Sequence, residues 1–234
     1  MCINNYNTFD MKKSSFFNFI PSSSDGVCVP TDSQGISLAE SFSSYVRTHT
    51  VFCHSYSRAG LIDEFKRLYP RYQYHLAYND YLCVAEFLYF SNIKEITRAI
   101  DDFFYEKSIN FSFNEFISST KAEILMLRNY PIGYHKLDII FLFPLVSLLQ
   151  TVRAYANSPV IVNSGYRSPV LNKKVGGVKK SRHLCFKACD ITFKFLFSGS
   201  EPWKPRYDDV IAFIKTLPFR YVEDHGTWVH VDIQ

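Results

Sequence analysis

Hydrophobic and polar positions follow three different rhythms along the chain. Over residues 1–45, in stretches such as IPSSSDGVCVPTDSQG, Ser, Asn and Gly prevail and neither period persists, which predicts an irregular N-terminal arm. Over residues 46–107 the pattern sharpens. THTVFCHSY reads as a strand and AGLIDEFKRLY as a helix; YQYHLAY and YLCVAEFLYF read as two strands turned at Asn79 and Asp80, and NIKEITRAIDDFFYEK as a second helix. The order βαββα predicts a small ferredoxin-like accessory domain, a layout that names no function.

Beyond a boundary at 107–111, the spacing changes again. Ser112 and Glu115 stand at capping-box spacing, with Phe111 and Phe116 placed as a hydrophobic staple, so a helix is expected from there to about Leu127. The longest apolar run, Ile139 to Leu149, is interrupted by Pro144 and Ser147 and falls short of the roughly 20 residues that cross a bilayer. It reads as a buried helix opening at Pro144, with Leu145, Leu148, Leu149 and Val152 on one stripe. PVIVN at 159–163 is a short strand. Asp208 is expected to cap a helix whose Val210, Phe213, Ile214 and Leu217 share a face, and TWVHVDI forms the last strand. The fold class predicted for residues 111–234 is α+β, an antiparallel sheet with flanking helices.

Composition narrows the classes. At 234 residues, 47% hydrophobic and 21% charged, the chain can bury a substantial core, which excludes disorder for its bulk. A formal charge of +4 is too mild to indicate nucleic acid. The six cysteines are scattered without CxxC spacing, and MCINNYNTFDMKK lacks the features of a secretory signal, so a reducing cytoplasm is the expected place of synthesis.

The chemistry concentrates in SGYRSPVLNKKVGGVKKSRHLCFKACDI and in the C-terminal strand. In ACDITF, Ala188, Asp190 and Thr192 share one side while Cys189, Ile191 and Phe193 take the other. In the last strand Val229, Val231 and Ile233 face a core, leaving Trp228, His230 and Asp232 on the opposite side. His183 lies seven residues before Asp190, so a loop entering the strand must bring the two together. Two imidazoles and a carboxylate, with a fourth position left to water, make a typical catalytic zinc shell.

These residues resemble the zinc D-Ala-D-Ala carboxypeptidases and L-Ala-D-Glu endopeptidases, metallopeptidases of Hedgehog-like fold that cut peptidoglycan stem peptides. Ser181, His183, Ala188 and Asp190 match that family's Ser-x-His-x-x-Gly-x-Ala-x-Asp segment. Gly165, Tyr166, Arg167, Ser168 and Pro169 match its preceding Gly-Tyr-Arg-Ser/Pro, and His230 stands for its late histidine. The resemblance covers roughly residues 111–234. It implies one zinc ion on His183, Asp190 and His230, a substrate-carboxylate or oxyanion role for Arg167, and substrate-positioning roles for Ser181 and Tyr166. A short hydrolase of this kind suits phage lysis or wall remodelling.

Two positions depart from the family. Its glycine between the first His and the Asp is Phe186 here, and its general base, three or two residues before the last His, falls on Thr227 and Trp228. His225 and Asp232 are the leading substitutes, with Glu223 and Asp224 beside them, and Asp232 could equally orient His230. Arg167 to Cys189 also carries Lys173, Lys174, Lys179, Lys180, Arg182 and Lys187 without one acid, a positive rim suited to an anionic peptide. Cys185 and Cys189 read as free cysteines rather than ligands, and His49, His54, His75 and His135 as structural or surface residues. The rival readings are a silent zinc-containing wall-binding module and an interaction protein acting through residues 46–107.

Overall fold

The longest apolar run becomes the spine of the fold. In the computed structural model, which describes residues 18–21, 28–31, 36–49, 59–197 and 203–234, a 3-10 helix over Gly133–Phe141 leads directly into α7, Leu142–Ala156. Pro144 sits in the first turn of α7, where its missing N–H leaves no helical bond unmade. The stretch Gly133–Ala156 is long and apolar enough to cross a membrane, but 78% of its apolar window is buried inside this fold.

Helices pack on this spine from the N-terminal side: α1 (Leu38–His49), α2 (Ala59–Leu68), α3 (Tyr78–Phe90) and α4 (Ile93–Glu106). Phe42 of α1 meets Phe87 of α3, Phe103 of α4 and Phe143 of α7, with ring centroids 6.2, 5.2 and 4.6 Å away. Two of these helix starts have a local cause. Glu40 accepts from the Ser37 amide at 2.8 Å while the Ser37 hydroxyl accepts from the Glu40 amide at 3.2 Å, and Asn92 with Glu95 repeats the capping box before α4.

The expected ferredoxin-like sheet is absent: among the described residues of 46–107 there is no strand. YLCVAEFLYF is α3, with Tyr81, Val84, Ala85 and Leu88 fully buried at helical spacing. Leu82, Cys83 and Tyr89 are also partly buried, so the segment is apolar nearly all round and its period is masked. YQYHLAY is a series of turns after a 3-10 turn at Tyr69–Arg71. The strand expected in THTVFCHSY lies mostly outside the described residues; its first two, Thr48 and His49, end α1. The arm is not wholly irregular either, since β1 (Asn18–Pro21) pairs antiparallel with β2 (Cys28–Thr31).

The capping box at Ser112 holds, with Glu115 accepting from the Ser112 amide at 2.8 Å and the Phe111 and Phe116 rings 5.8 Å apart. The helix it starts is nonetheless short. α5 (Phe113–Ile117) stops at two serines, and Ser119 caps a separate α6 (Thr120–Ile124). Serine hydroxyls compete for backbone groups and favour this break over the single expected helix.

The sheet has four antiparallel strands in the order β3 (Val160–Ser164), β4 (Ala188–Phe193), β6 (Val229–Asp232), β5 (Tyr221–Asp224). One continuous cluster of buried residues runs from Leu38 to Ile233 and joins this sheet to the helices. α8 (Pro169–Lys174) follows β3, and α9 (Trp203–Ile214) buries Tyr207, Val210 and Ile214. Asp208 does not cap α9. It lies mid-helix, paired with Lys204 one turn earlier.

Candidate metal centre

The strand register places the chemistry. Asp190 in β4 lies opposite His230 in β6 and Ser164 in β3, and His230 lies opposite Glu223 in β5. Directly opposed residues of antiparallel strands share a face, so these four project from one side of the sheet. The other side carries Cys189, Ile191, Val229 and Val231, all fully buried.

His183 arrives from a 3-10 turn, Arg182–Cys185, which ends at Phe186 in the left-handed conformation (φ +57°). Phe186 stands where the resembled motif has glycine, and it takes the left-handed conformation itself. Its ring is buried and stacked on Tyr166 (4.7 Å) and Phe113 (5.9 Å). Tyr166, expected to touch substrate, is only 3% exposed and its ring belongs to this stack rather than to the site cavity. Burial pushes its hydroxyl up to about 12. In this structure the tyrosine packs against Phe186.

Backbone ties fix the loop before His183. Arg167 N–H donates to the His183 carbonyl at 3.0 Å and Tyr166 N–H to the Phe116 carbonyl at 2.6 Å. Buried Asn129 donates to the carbonyls of Ile117 and Tyr166 and accepts from the Ser168 amide, at 2.8, 2.9 and 2.8 Å. His183 Nδ1 is 2.6 Å from the Gly165 carbonyl, which can only accept, so Nδ1 carries the proton. Nε2, on the other side of the ring, lies 3.4 Å from Asp190 Oδ1.

Asp190 is the hub. Oδ1 lies 2.7 Å from His230 Nδ1, and Oδ2 accepts from Arg167 Nη2 at 2.5 Å. Arg167 is steadied in turn by Nε donating to Ser164 Oγ at 2.9 Å. Burial would raise the Asp190 carboxyl, but the bonds to both histidines and the Arg167 charge outweigh it and hold the group well below the usual range. His230 goes the other way: desolvation opposes its charge, yet Asp190 and Asp232 lift it to about 9. One donor atom each from His183, Asp190 and His230 lie within 4.8 Å of one another, a group that could hold a metal ion.

A cavity of about 460 Å³ opens over this group, and Arg167, Ser181, His225 and Asp232 are among the residues that line it. The candidate bases differ in their freedom. Asp232 is 2% exposed and both its oxygens accept from Arg220, at 2.8 and 2.5 Å. Asp224 accepts from Tyr207 and from the Gly226 amide, at 2.6 and 2.8 Å. Glu223 and His225 both line the cavity, 3.7 Å apart, with the imidazole stacked on Trp228 at 3.7 Å. Arg220, Asn129 and the Gly165 carbonyl were not anticipated. Strand β5 and its Gly226 turn, readable from DHGT before the last strand, would have put Glu223 beside His230.

Residues 110–204 match the family model Peptidase M15, a segment that contains His183 and Asp190 and ends before His230. A search of curated proteins found no match.

Proposed function

We propose that the chain is a zinc-dependent peptidase that hydrolyses D-amino-acid-containing peptide bonds in peptidoglycan stem peptides. The carrying observation is the convergence of His183, Asp190 and His230 at the floor of a cavity that Arg167 also lines. Zinc fits the donor set, since two imidazoles and one carboxylate leave a position for water, and His183 already has its tautomer fixed by Gly165. When bound, zinc supplies a Lewis acid that activates water and polarises the scissile carbonyl.

The remaining roles fall to this chain's own side chains. Arg167 offers a fixed positive charge to a substrate carboxylate or to the oxyanion that develops during attack. Glu223 takes the proton from the attacking water and passes it to the leaving amine, with His225 alongside as its partner. Asp232, clamped by Arg220, orients His230 instead of titrating. Ser181 positions the peptide at the cavity wall.

The test combines metal analysis with mass spectrometry of purified muropeptides before and after incubation, with and without chelator. Chelator-sensitive cleavage and one zinc per chain are expected, and His183→Ala should lose both. Unchanged zinc and turnover in that variant would remove this reading. A silent wall-binding module is the second reading, favoured by Thr227 and Trp228 at the family's base positions. It predicts binding to peptidoglycan with no product released.

A further inference from the structure

A second pocket, of about 310 Å³, adjoins the metal-site cavity and shares Lys180, Ser181 and Arg182 with its wall. The rest of its lining is Arg71, Phe141, Cys185 and Lys187, so four cations converge there and no acid does. Two of the four have partners elsewhere. Arg71 donates to buried Asp138 at 2.8 Å, and Arg182 donates to the Ile233 carbonyl at 2.8 Å and lies 3.8 Å from Asp232. Lys187 differs. Among the described residues it has no carboxylate partner, and its ammonium rests 4.0 Å from the Phe141 ring centroid.

Such a placement is unfavourable unless something compensates. Burial weakens the proton affinity of Lys187; Cys185 and the Asp138 carboxylate behind Arg71 act to raise it, while the charges of Arg182 and Arg71 lower it further. The ammoniums of Lys180 and Lys187, the guanidiniums of Arg71 and Arg182 and the Ser181 hydroxyl line one pocket and offer four positive groups and a hydrogen-bond donor to a single small anion. Arg71 is held there by Asp138, which Tyr72 also bonds at 3.0 Å. Arg71 and Tyr72 lie outside the segment that matches the peptidase family, so the N-terminal part of the chain builds one wall.

We infer that this pocket is an oxyanion subsite that takes an acidic group of the same peptide whose scissile bond lies at His183, Asp190 and His230. The inference rests on the peptidase reading for the identity of its ligand, a stem-peptide carboxylate, and on the pocket alone for its anion chemistry. Ser181, common to both walls, stands where the peptide would pass from one pocket to the other.

Two measurements test it in the full-length protein, each on wild type, Lys187→Met and the charge-conserving Lys187→Arg. The first is titration with inorganic phosphate at low salt. Saturable binding is expected, weakened about tenfold in Lys187→Met and kept in Lys187→Arg, in line with one charged hydrogen bond lost. Absent binding, or equal affinity in all three, overturns the subsite. The second compares KM for two stem peptides that differ only in a free or amidated glutamate carboxyl. Wild type should prefer the free acid, and Lys187→Met should bring the ratio towards one. Equal KM values in wild type overturn the subsite while leaving the peptidase intact. Phosphate binding that depends on Lys187, with neither peptide cleaved, keeps the anion pocket and removes the peptidase. Lys180→Met, at an exposed position of the same wall, repeats both measurements should Lys187→Met fail to fold.

Discussion

Phe186 holds a left-handed backbone with a side chain poorly suited to it, and two substitutions separate the opposing effects. The φ of +57° strains any residue with a Cβ by about 1–2 kcal/mol. Against this, the ring is 1% exposed and stacked on both Tyr166 and Phe113, and removing such a side chain to alanine costs about 3–5 kcal/mol. Phe186→Ala loses the ring and keeps the strain. Phe186→Gly loses the ring and relieves it, so it should be destabilised by about 1–4 kcal/mol, less than alanine by about 1–2. The order is the reverse of that at an ordinary backbone position, where glycine is worse than alanine by about 0.5–1 kcal/mol. Urea unfolding followed by circular dichroism reads the three proteins directly. Thermal midpoints should fall by about 2–4 °C per kcal/mol for a chain of this size. Alanine at least as stable as glycine, or either variant within about 1 kcal/mol of wild type, would refute the balance of strain against burial described here.

Three further outcomes are expected. Glu223→Gln should lower kcat about 10²–10⁴-fold with zinc content unchanged, because the carboxylate lines the cavity without binding the metal group; wild-type turnover in this variant would disqualify Glu223 as base. Gly165→Ala would place a Cβ 2.4 Å from the Phe116 carbonyl oxygen, so the loop must move. That should cost about 1–3 kcal/mol in urea unfolding and weaken zinc binding by displacing the acceptor of His183 Nδ1. His75 is buried with Nδ1 unpartnered, and burial together with the Lys187 charge lowers its pKa from 6.5 to about 4. The unfolded chain then binds the proton first, so this group's contribution is whole above pH 6.5 and is lost as pH falls towards 4, by up to about 3 kcal/mol. Unfolding midpoints of His75→Gln should lack that component, and identical pH profiles for variant and wild type would contradict it.

The metal group was legible in the sequence because strands of period two announce their faces. Cys189, Ile191, Val229 and Val231 are apolar at alternate positions, which leaves Asp190 and His230 on the other side, and the observed register brings the two opposite each other. His183 was legible only through the spacing it shares with a known motif. The failures have equally local causes. α3 is apolar on almost every side, so aromatic and β-branched residues spoke for strand where burial all round was the real cause. Tyr166 packs against Phe186 here, and a sequence motif cannot distinguish packing from contact with substrate. Among the candidate bases named from the sequence Glu223 did not stand out, because it is seven residues from His230 and becomes its opposite neighbour only once β5 is paired.

That pairing decides how charge is managed at the site. Asp190 and Asp232 project from the same face of the sheet on adjacent strands, with His230 between them, its Nδ1 2.7 Å from the first and its Nε2 3.9 Å from the second. Two carboxylates so placed would repel one another and favour protonation of one, the usual consequence of like charges in a shared site. Each instead has its own arginine: Arg167, anchored on Ser164, for Asp190, and Arg220, just before β5, for Asp232. Both carboxyls are consequently held below the ordinary value, burial opposing and the hydrogen bonds and guanidiniums prevailing. A carboxylate stabilised in this way makes a good ligand or a good anchor and a poor proton acceptor, since the same bonds that keep it ionised oppose taking up a proton. On the peptidase reading proposed above, the device that keeps Asp190 ionised as a ligand also removes Asp232 from acid–base work, and the proton falls to the β5 to β6 hairpin, where Glu223 and His225 meet the cavity and, among the described residues, neither is paired with an arginine.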